Sequence, residues 1–246
     1  FGIASQVNNM VQMFSKSLGQ AAIPQITKSY GGGDSDRTIN LAIYISKYVF
    51  FLMLVPALPI MLETEFILNL WLEELPPYTV TFVRLIIVNA MIDSLGGVGA
   101  IAQATGKIKY FQLILSSLSV MSLPVAYYLF RFNYPPPTIL VVFIATSFVN
   151  LIVSIILLKQ IIKFDVKNYL NVVHKRVMFV ILSLAWLFYA KEYFEEGWVR
   201  FCAVVFSSIM VLGITIYTVG LEQRERLVVA SIYRDYLVRK LKGLNK

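Results

Sequence analysis

The chain has 246 residues, of which 58% are hydrophobic and 15% charged, and its formal net charge is +8. A soluble domain holds about 25% charged residues, whereas the apolar residues here form runs of about 20, enough to span roughly 30 Å of hydrocarbon. The composition therefore predicts an all-α polytopic membrane protein and excludes a transmembrane β-barrel, whose strands alternate apolar and polar residues over about 10 positions. The basic residues lie between the apolar runs and in the tail, so the positive charge does not indicate a nucleic-acid partner.

We expect seven membrane spans, of which the first carries a polar stripe and the sixth is short. Their predicted positions are 4–27, 39–62, 79–104, 109–130, 137–159, 177–192 and 199–220. An additional short apolar run at 66–72 is followed by two prolines and predicts an interfacial helix anchored by Trp71.

The first span combines apolar residues with one polar face. Lys16 lies near the middle of the span, where an ammonium costs on the order of 3 kcal/mol even on a lenient insertion scale. We therefore expect this face to contact protein or water and to form one wall of a hydrophilic pathway through the membrane. Residues at steps of three and four make up the stripe: Ser5, Asn8, Asn9, Gln12, Ser15, Lys16, Gly19 and Gln20.

Three further charged residues lie within the second and third spans, of which Arg84 is near enough to the outer end to reach the headgroups. Lys47 is near the basic end of the second span. It either has a functional role there or extends its aliphatic stem so that the ammonium reaches the lipid headgroups. Asp93 lies in mid-span, one turn after Asn89 and one turn before the glycines at 96 and 97, which allow close approach or bending. Asp93 has three possible roles: a counter-ion for Lys16, a cation or proton site, or a protonated hydrogen-bonding group.

The charge of the connections predicts the orientation. Residues 63–78 contain no Lys or Arg, whereas the connections on either side hold two basic residues each, the segment at 159–176 holds five and the tail holds seven. By the positive-inside rule this places the Phe1 end outside and the C-terminus in the cytoplasm. The chain starts without an initiator Met, and seven preceding spans would give fourteen in all, so we expect the C-terminal half of a longer protein.

Common catalytic and metal-binding motifs are absent from the sequence. The glycines at 31–33 are not followed by the Lys-Ser/Thr of a Walker loop, and there is no HExxH, CxxC or GxSxG. The single cysteine, Cys202, and the single histidine, His174, leave little for a thiolate cluster or a catalytic triad, and His174 is expected in a solvated basic loop. We therefore expect no enzyme activity and no cofactor.

Several landmarks, in order, resemble one family of transporters. A polar-striped helix ends Ala-Ala-Ile-Pro-Gln-Ile at 21–26, and Leu-Trp-Leu at 70–72 precedes Pro76. The run Ala-Thr-Gly-Lys-Ile-Lys-Tyr follows at 104–110, and Leu-Pro at 123–124 lies late in the next span. Over about residues 1–160 the chain resembles the Wzx-type O-antigen and capsule flippases of the multidrug/oligosaccharidyl-lipid/polysaccharide exporter superfamily.

The resemblance implies a function, a location and a domain organisation. The function is to flip an undecaprenyl-pyrophosphate-linked oligosaccharide across the bacterial cytoplasmic membrane, by alternating access driven by an H⁺ or Na⁺ gradient. Such a step belongs to the biosynthesis of lipopolysaccharide O-antigen or capsule. Residues 1–160 would be five spans of a C-terminal transporter lobe, 161–220 a basic cytoplasmic loop with two further spans, and 221–246 a basic amphipathic tail on the inner leaflet. The expected partners are the lipid-linked oligosaccharide, membrane lipids, the coupling ion and the N-terminal half of the same chain.

The physics of the residues agrees with a polar, anionic substrate. Lys16 would be the chief contact of the headgroup, with Gln12 and Asn9 one and two turns earlier on the same stripe. Lys47 would meet the pyrophosphate nearer the cytoplasmic mouth. Asp93, with Asn89, would be the ion-pair partner of Lys16 or the coupling-ion site.

Three alternatives stay open at this level. A multidrug efflux transporter of the same superfamily should favour acidic and aromatic residues at mid-membrane, whereas the charges here are mostly basic. A membrane scaffold subunit that does not transport is a second alternative, although it gives no reason for the polar stripe. A membrane glycosyl- or acyltransferase ranks last, because it needs a catalytic acid or histidine at an aqueous face.

Overall fold

The computed structural model describes residues 1–162 and 164–231. Within these residues there is no strand, and six helices are long and apolar enough to cross a membrane. These findings confirm an all-α, multi-pass membrane protein. In chain order the helices are α1 Gly2–Gly31, α2 Ser35–Leu62, α3 Thr64–Trp71, α4 Thr79–Ala104, α5 Ile108–Arg131, α6 Thr138–Ile161, α7 Val166–Ala190 and α8 Trp198–Gly220.

Helix α1 has the length of a span but not the apolar composition of the other six. It contains 30 residues, about 45 Å at 1.5 Å per residue, and its polar stripe lowers its hydropathy. It packs along α2 and α4, two of the six apolar helices. The first predicted span is therefore present as a helix, and its crossing of the membrane stays a prediction.

Local signals explain how the first two helices are joined. Gly33 takes the left-handed conformation that the tight turn requires, with φ of 80°. The Asp34 side chain then accepts a hydrogen bond of 2.9 Å from the Arg37 backbone N–H and caps the start of α2. The predicted short helix before the paired prolines is also found, as α3.

Helix α4 is interrupted within the membrane region. Its first segment ends at Leu95, a 3₁₀ turn covers Gly96–Gly99, and α-helix resumes at 100–104. A β-carbon added at Gly97 would lie 2.8 Å from Ser46 Oγ, so the glycine allows α4 to approach α2 closely. The buried Tyr169 hydroxyl donates a 2.7 Å hydrogen bond to the Leu95 carbonyl at the end of the first segment. The glycines thus mark a real change of helix geometry, and a residue of α7 satisfies a carbonyl at that break.

The expected boundary of the sixth span was wrong. Helix α7 starts at Val166, eleven residues before the predicted start at 177, so most of the predicted basic loop is helical. The Asp165 carboxylate accepts a 3.0 Å hydrogen bond from the Asn168 N–H and caps the helix. Lysines and arginines do not end a helix, since their long stems carry the charge towards water while the backbone continues.

His174 was also expected in the wrong environment. It is partly buried at the end of a π-helical turn, and its ring packs edge-on against Tyr169 with the centroids 4.9 Å apart. Its neighbours in sequence are basic, but its helical position turns the imidazole towards the protein rather than towards solvent.

The tail is described only in part. Residues 223–231 are helical, and the rest of the predicted amphipathic tail, from residue 232 onwards, lies outside the described residues. Helix α8 ends at Gly220, as expected from the sequence.

The bundle is organised around α2, which contacts α1, α4, α7 and α8. Its buried face carries Phe50, Met53 and Leu54 into a core shared with α4 and α7. The last two helices pack directly on α2 rather than forming a separate unit. By contrast, α5 packs mainly on α6 and on the end of α4, which leaves a gap between α5 and α1. This gap contains the candidate site.

Candidate functional site

A cavity of about 510 Å³ lies between α1, α4 and α5, with α2 as its floor. Ligand sites commonly have volumes of 300–1,000 Å³, so the space is large enough for part of a polar headgroup. Its floor is apolar and includes Ile45, Val49 and Met53. Polar and charged side chains line its other walls: Gln12, Lys16, Gln20, Asp93, Ser94, Gln103 and Gln112.

Lys16 is one of the two charged residues that line this cavity. It lies 14 residues into α1, roughly 21 Å along the helix axis, and its side chain is exposed in the structure. Gly19, one turn further on, faces Val49 of α2. This part of α1 therefore packs beside the middle of α2. Lys16, Gly19 and Gln20 of the predicted polar stripe therefore border a protein-lined space, and the role of the stripe in a pathway through the membrane stays a prediction.

The other residues predicted on the stripe divide into two groups. Gln12 lines the cavity and donates a 3.1 Å hydrogen bond to Asn8 Oδ1. Asn9 is exposed, but it is not among the residues that line the cavity. The contact of Asn9 with substrate stays a prediction without support from this geometry.

Asp93 is the second charged residue of the cavity. The Asn89 amide donates a 3.1 Å hydrogen bond to Asp93 Oδ2, so the predicted pair on α4 is present. Within the described residues, no ion pair joins Asp93 to Lys16. The two opposite charges therefore line one cavity without forming an ion pair.

Lys47 lies outside the cavity in a fully buried position. Its ammonium is 2.7 Å from both carboxylate oxygens of Glu225, and the Tyr48 hydroxyl donates to the same carboxylate. Burial alone would raise the pKa of the Glu225 carboxyl, but hydrogen bonds from the Glu222 N–H, Lys47 and Tyr48 outweigh burial and lower it. Lys47 thus has a counter-ion, and its predicted contact with the pyrophosphate would require that pair to open.

A second charged pair lies beside it. Glu222 is 3.4 Å from the Arg176 guanidinium and accepts a 3.3 Å hydrogen bond from the Tyr44 hydroxyl. Arg176 also donates to the Leu221 carbonyl at 3.0 Å. Together with Lys47–Glu225, these contacts hold the segment that follows α8 against α2 and against Arg176 of α7.

At the opposite end of the bundle, an ion pair and a charged hydrogen bond also connect the last two helices to α2. Glu63, which is fully buried, pairs with Arg200 at 2.9 Å, and Lys191 donates a 2.8 Å hydrogen bond to the Leu62 carbonyl. The last two helices are therefore held to α2 by charged groups at both ends. These charges contribute to the packing of the helices and do not line the cavity.

Sequence reasoning missed several polar residues on α5 and α6. Gln112, Ser116 and Ser119 follow at helical spacing on α5, and Ser147, Asn150 and Ser154 do so on α6. This helical periodicity is visible in the sequence. However, isolated serines and amides within apolar runs indicate a functional site less strongly than a charged residue does.

Nothing in the described residues forms a conventional metal centre. No group of three or more His, Cys, Asp or Glu side chains lies close enough to hold a metal ion there. Comparisons with protein-family models, curated proteins and solved structures found no match to this chain.

Proposed function

We propose that this chain is part of a transporter that flips an undecaprenyl-pyrophosphate-linked oligosaccharide across the bacterial cytoplasmic membrane. The observation that carries the proposal is the cavity of about 510 Å³ within a bundle of apolar helices, lined by one ammonium and several side-chain amides. A protein that only bridges other subunits has no need for such a space at this depth.

The chemistry of the walls suits the proposed headgroup. A pyrophosphate is anionic and accepts hydrogen bonds, which an ammonium such as Lys16 provides in their stronger, charge-assisted form. Sugar hydroxyls both donate and accept, and the amides of Gln12, Gln103 and Gln112 do the same. The apolar floor supplies contact area for the less polar faces of the sugar rings.

Alternating access would use the gap between α1 and α5. The second half of a two-lobed transporter would close this gap, so that the cavity opens to one side of the membrane at a time. The distribution of Lys and Arg supports an orientation with the ends of α1, α4, α6 and α8 in the cytoplasm. Energy would come from an ion gradient, since the chain carries no phosphate-binding loop for ATP.

Genetic complementation tests this proposal. The full-length protein is expressed in a bacterium that lacks its polysaccharide flippase, and surface polysaccharide is quantified for the parent, Lys16→Gln and Lys16→Arg. The loss of a charge-assisted hydrogen bond, about 1.5–3 kcal/mol, predicts a decrease of roughly 10- to 150-fold in export for Lys16→Gln at limiting substrate. Lys16→Arg keeps the charge and should retain more export than Lys16→Gln.

The matched control is Lys28→Gln, which removes an exposed lysine in the last turn of the same helix. It should export as the parent does. Equal export by Lys16→Gln and the control would show that Lys16 does not contact the headgroup. If the properly inserted parent fails to restore any of several polysaccharides but changes drug resistance, the flippase proposal is wrong and the efflux alternative holds.

A further inference from the structure

We propose that a pocket between the start of α7 and the end of α8 binds the headgroup of an anionic phospholipid. The pocket has a volume of about 460 Å³ and shares no residue with the Lys16 cavity. None of the residues with a predicted role in transport lines it. Its polar walls consist of two amides, two cations and one carboxylate: Asn168, Asn171, Lys175, Arg176 and Glu222.

Helical spacing brings three of these side chains to one face of α7. Asn168, Asn171 and Lys175 follow one another at i, i+3 and i+7, and all three line the pocket. An amide both donates and accepts hydrogen bonds, and an ammonium donates three. This face therefore offers several donors to the oxygens of a single phosphate group.

The two cations of the pocket differ in their surroundings. Arg176 donates hydrogen bonds of 3.2 and 3.0 Å to the Val219 and Leu221 carbonyls and lies 3.4 Å from Glu222. Lys175 is exposed, and no ion pair or hydrogen bond within the described part of the chain includes its ammonium. One cation therefore holds the wall of the pocket together, and the other is available to a ligand.

The charge of the pocket selects the kind of phosphate. Lys175 and Arg176 carry two positive charges and Glu222 carries one negative charge, which leaves a net charge of +1. The phosphodiester of a lipid such as phosphatidylglycerol carries a single negative charge and neutralises the pocket. A phosphate monoester carries about −1.5 to −2 at neutral pH, so it would leave excess negative charge beside the carboxylate. The balance of charge therefore favours a phosphodiester.

The face of α7 beyond the pocket is apolar and open, as the acyl chains of a lipid require. Phe179, Leu182 and Trp186 follow Lys175 at i+4, i+7 and i+11, and they are 43%, 61% and 53% exposed. Eleven residues of helix extend roughly 16 Å, about half of the 30 Å thickness of the hydrocarbon core. A lipid with its phosphate at Lys175 would therefore lay its chains along this face, whereas a free phosphate would gain nothing from it.

The proposed orientation places the pocket at the cytoplasmic end of the bundle. Five basic residues lie in the segment 159–176, which includes this end of α7. Anionic lipids concentrate in the cytoplasmic leaflet, and basic pockets between membrane helices on that side bind their headgroups. A bound lipid would brace α7 against the segment that follows α8. This site does not depend on the identity of the transported substrate.

The test uses the purified full-length protein with Phe179→Trp, which puts a fluorescent reporter in the pocket. Phosphatidylglycerol with brominated acyl chains is titrated in a non-ionic detergent, because bromine quenches tryptophan on contact. The parent protein, titrated in parallel, corrects for tryptophans elsewhere. The quenching should saturate, and Lys175→Gln should weaken binding about tenfold through the loss of a charge-assisted hydrogen bond. Asn171→Asp, which adds a second carboxylate to the pocket, should abolish it.

Lys167→Gln is the matched control, because it removes an exposed lysine of the same helix that does not line the pocket. It should bind the lipid as the reporter protein does. Equilibrium binding of radiolabelled phosphatidylglycerol to the parent and to Lys175→Gln repeats the comparison without the reporter.

Three results would overturn the proposal. Equal affinity for brominated phosphatidylcholine, or equal binding by Lys175→Gln and Lys167→Gln, would show ordinary lipid contact without recognition of charge. The absence of saturable binding in both assays would show that the pocket is not a lipid site. Displacement of the lipid by millimolar sodium phosphate, but not by sodium chloride of equal ionic strength, would assign the pocket to free phosphate instead.

Discussion

Replacement of Glu225 by glutamine tests whether the last two helices depend on the buried ion pair with α2. Lys47 is fully buried and has both Glu225 oxygens within 2.7 Å, while the Glu225 side chain is 11% exposed. Glu225→Gln keeps one acceptor oxygen but removes the charge that balances the ammonium. The neighbouring tyrosines can surround Lys47 but cannot neutralise it.

The expected loss follows from the burial of the lysine. Removing one partner of a buried pair costs about 3–5 kcal/mol, because the other charge is left uncompensated. Since glutamine retains an acceptor, we expect the lower end of that range. A loss of about 3 kcal/mol lowers the unfolding midpoint of a chain of this size by roughly 6–12 °C. Glu225→Ala removes every acceptor and should lower the unfolding midpoint by more than Glu225→Gln does.

The assay is thermal unfolding of the full-length protein in a non-ionic detergent, with intrinsic tryptophan fluorescence as the signal. Glu74→Gln removes an exposed carboxylate from the connection before α4 and should shift the midpoint by at most a degree or two. The double variant Lys47→Met, Glu225→Leu removes both charges, and buried pairs replaced in this way are often no less stable than the original. It should therefore recover most of the loss.

Two results would refute the reasoning. A Glu225→Gln shift no larger than that of Glu74→Gln would mean that the pair is not buried in the folded protein. Additive losses in the double variant would mean that the two side chains act separately, and that Lys47 is free to serve the substrate, as the sequence analysis expected.

Two further predictions concern the break in α4. Gly97→Ala places a β-carbon 2.8 Å from a serine hydroxyl of α2, so we expect a loss of about 1–3 kcal/mol and a lower unfolding midpoint, whereas Gly96→Ala meets nothing within 4 Å and should be nearly neutral. Equal shifts for the two alanines would contradict the close approach. Tyr169→Phe leaves the Leu95 carbonyl without its 2.7 Å partner and should cost about 1–3 kcal/mol, while the same change at the exposed Tyr193 should cost almost nothing. An unchanged midpoint for Tyr169→Phe would show that another group satisfies the carbonyl.

The features that the sequence predicted well are those that depend on neighbours along the chain. Apolar run length decided the membrane class and most of the helix positions, because a helix must satisfy its own backbone to cross lipid. Helical periodicity likewise placed Lys16 and Gln12 on one face, and the hydrogen bond between Asn89 and Asp93 follows from their i, i+4 spacing. The glycines after Asp93 predicted a bend or a close approach, and the structure has a 3₁₀ turn at Gly96–Gly99 and a close approach at Gly97.

The features that the sequence misjudged depend on residues far apart in the chain. Lys47 and Glu225 are separated by 178 positions, and no local pattern indicates that a lysine within a span will find a carboxylate beyond the last one. The extent of α7 was missed because a cluster of basic residues was taken for a loop, although Asp165 could have signalled a helix cap.

The sequence by itself determined that this is a helical membrane protein whose first helix carries a polar, charged stripe, because hydropathy and periodicity are local properties. Only the tertiary structure decided which of the charged side chains within the helices face a common space. It brings Lys16 and Asp93 to one cavity, gives Lys47 a counter-ion, and places Asn150 beside Asp93. The physical reason is that the energy of a charge inside a membrane protein depends on the groups that surround it, and packing between distant helices chooses those groups.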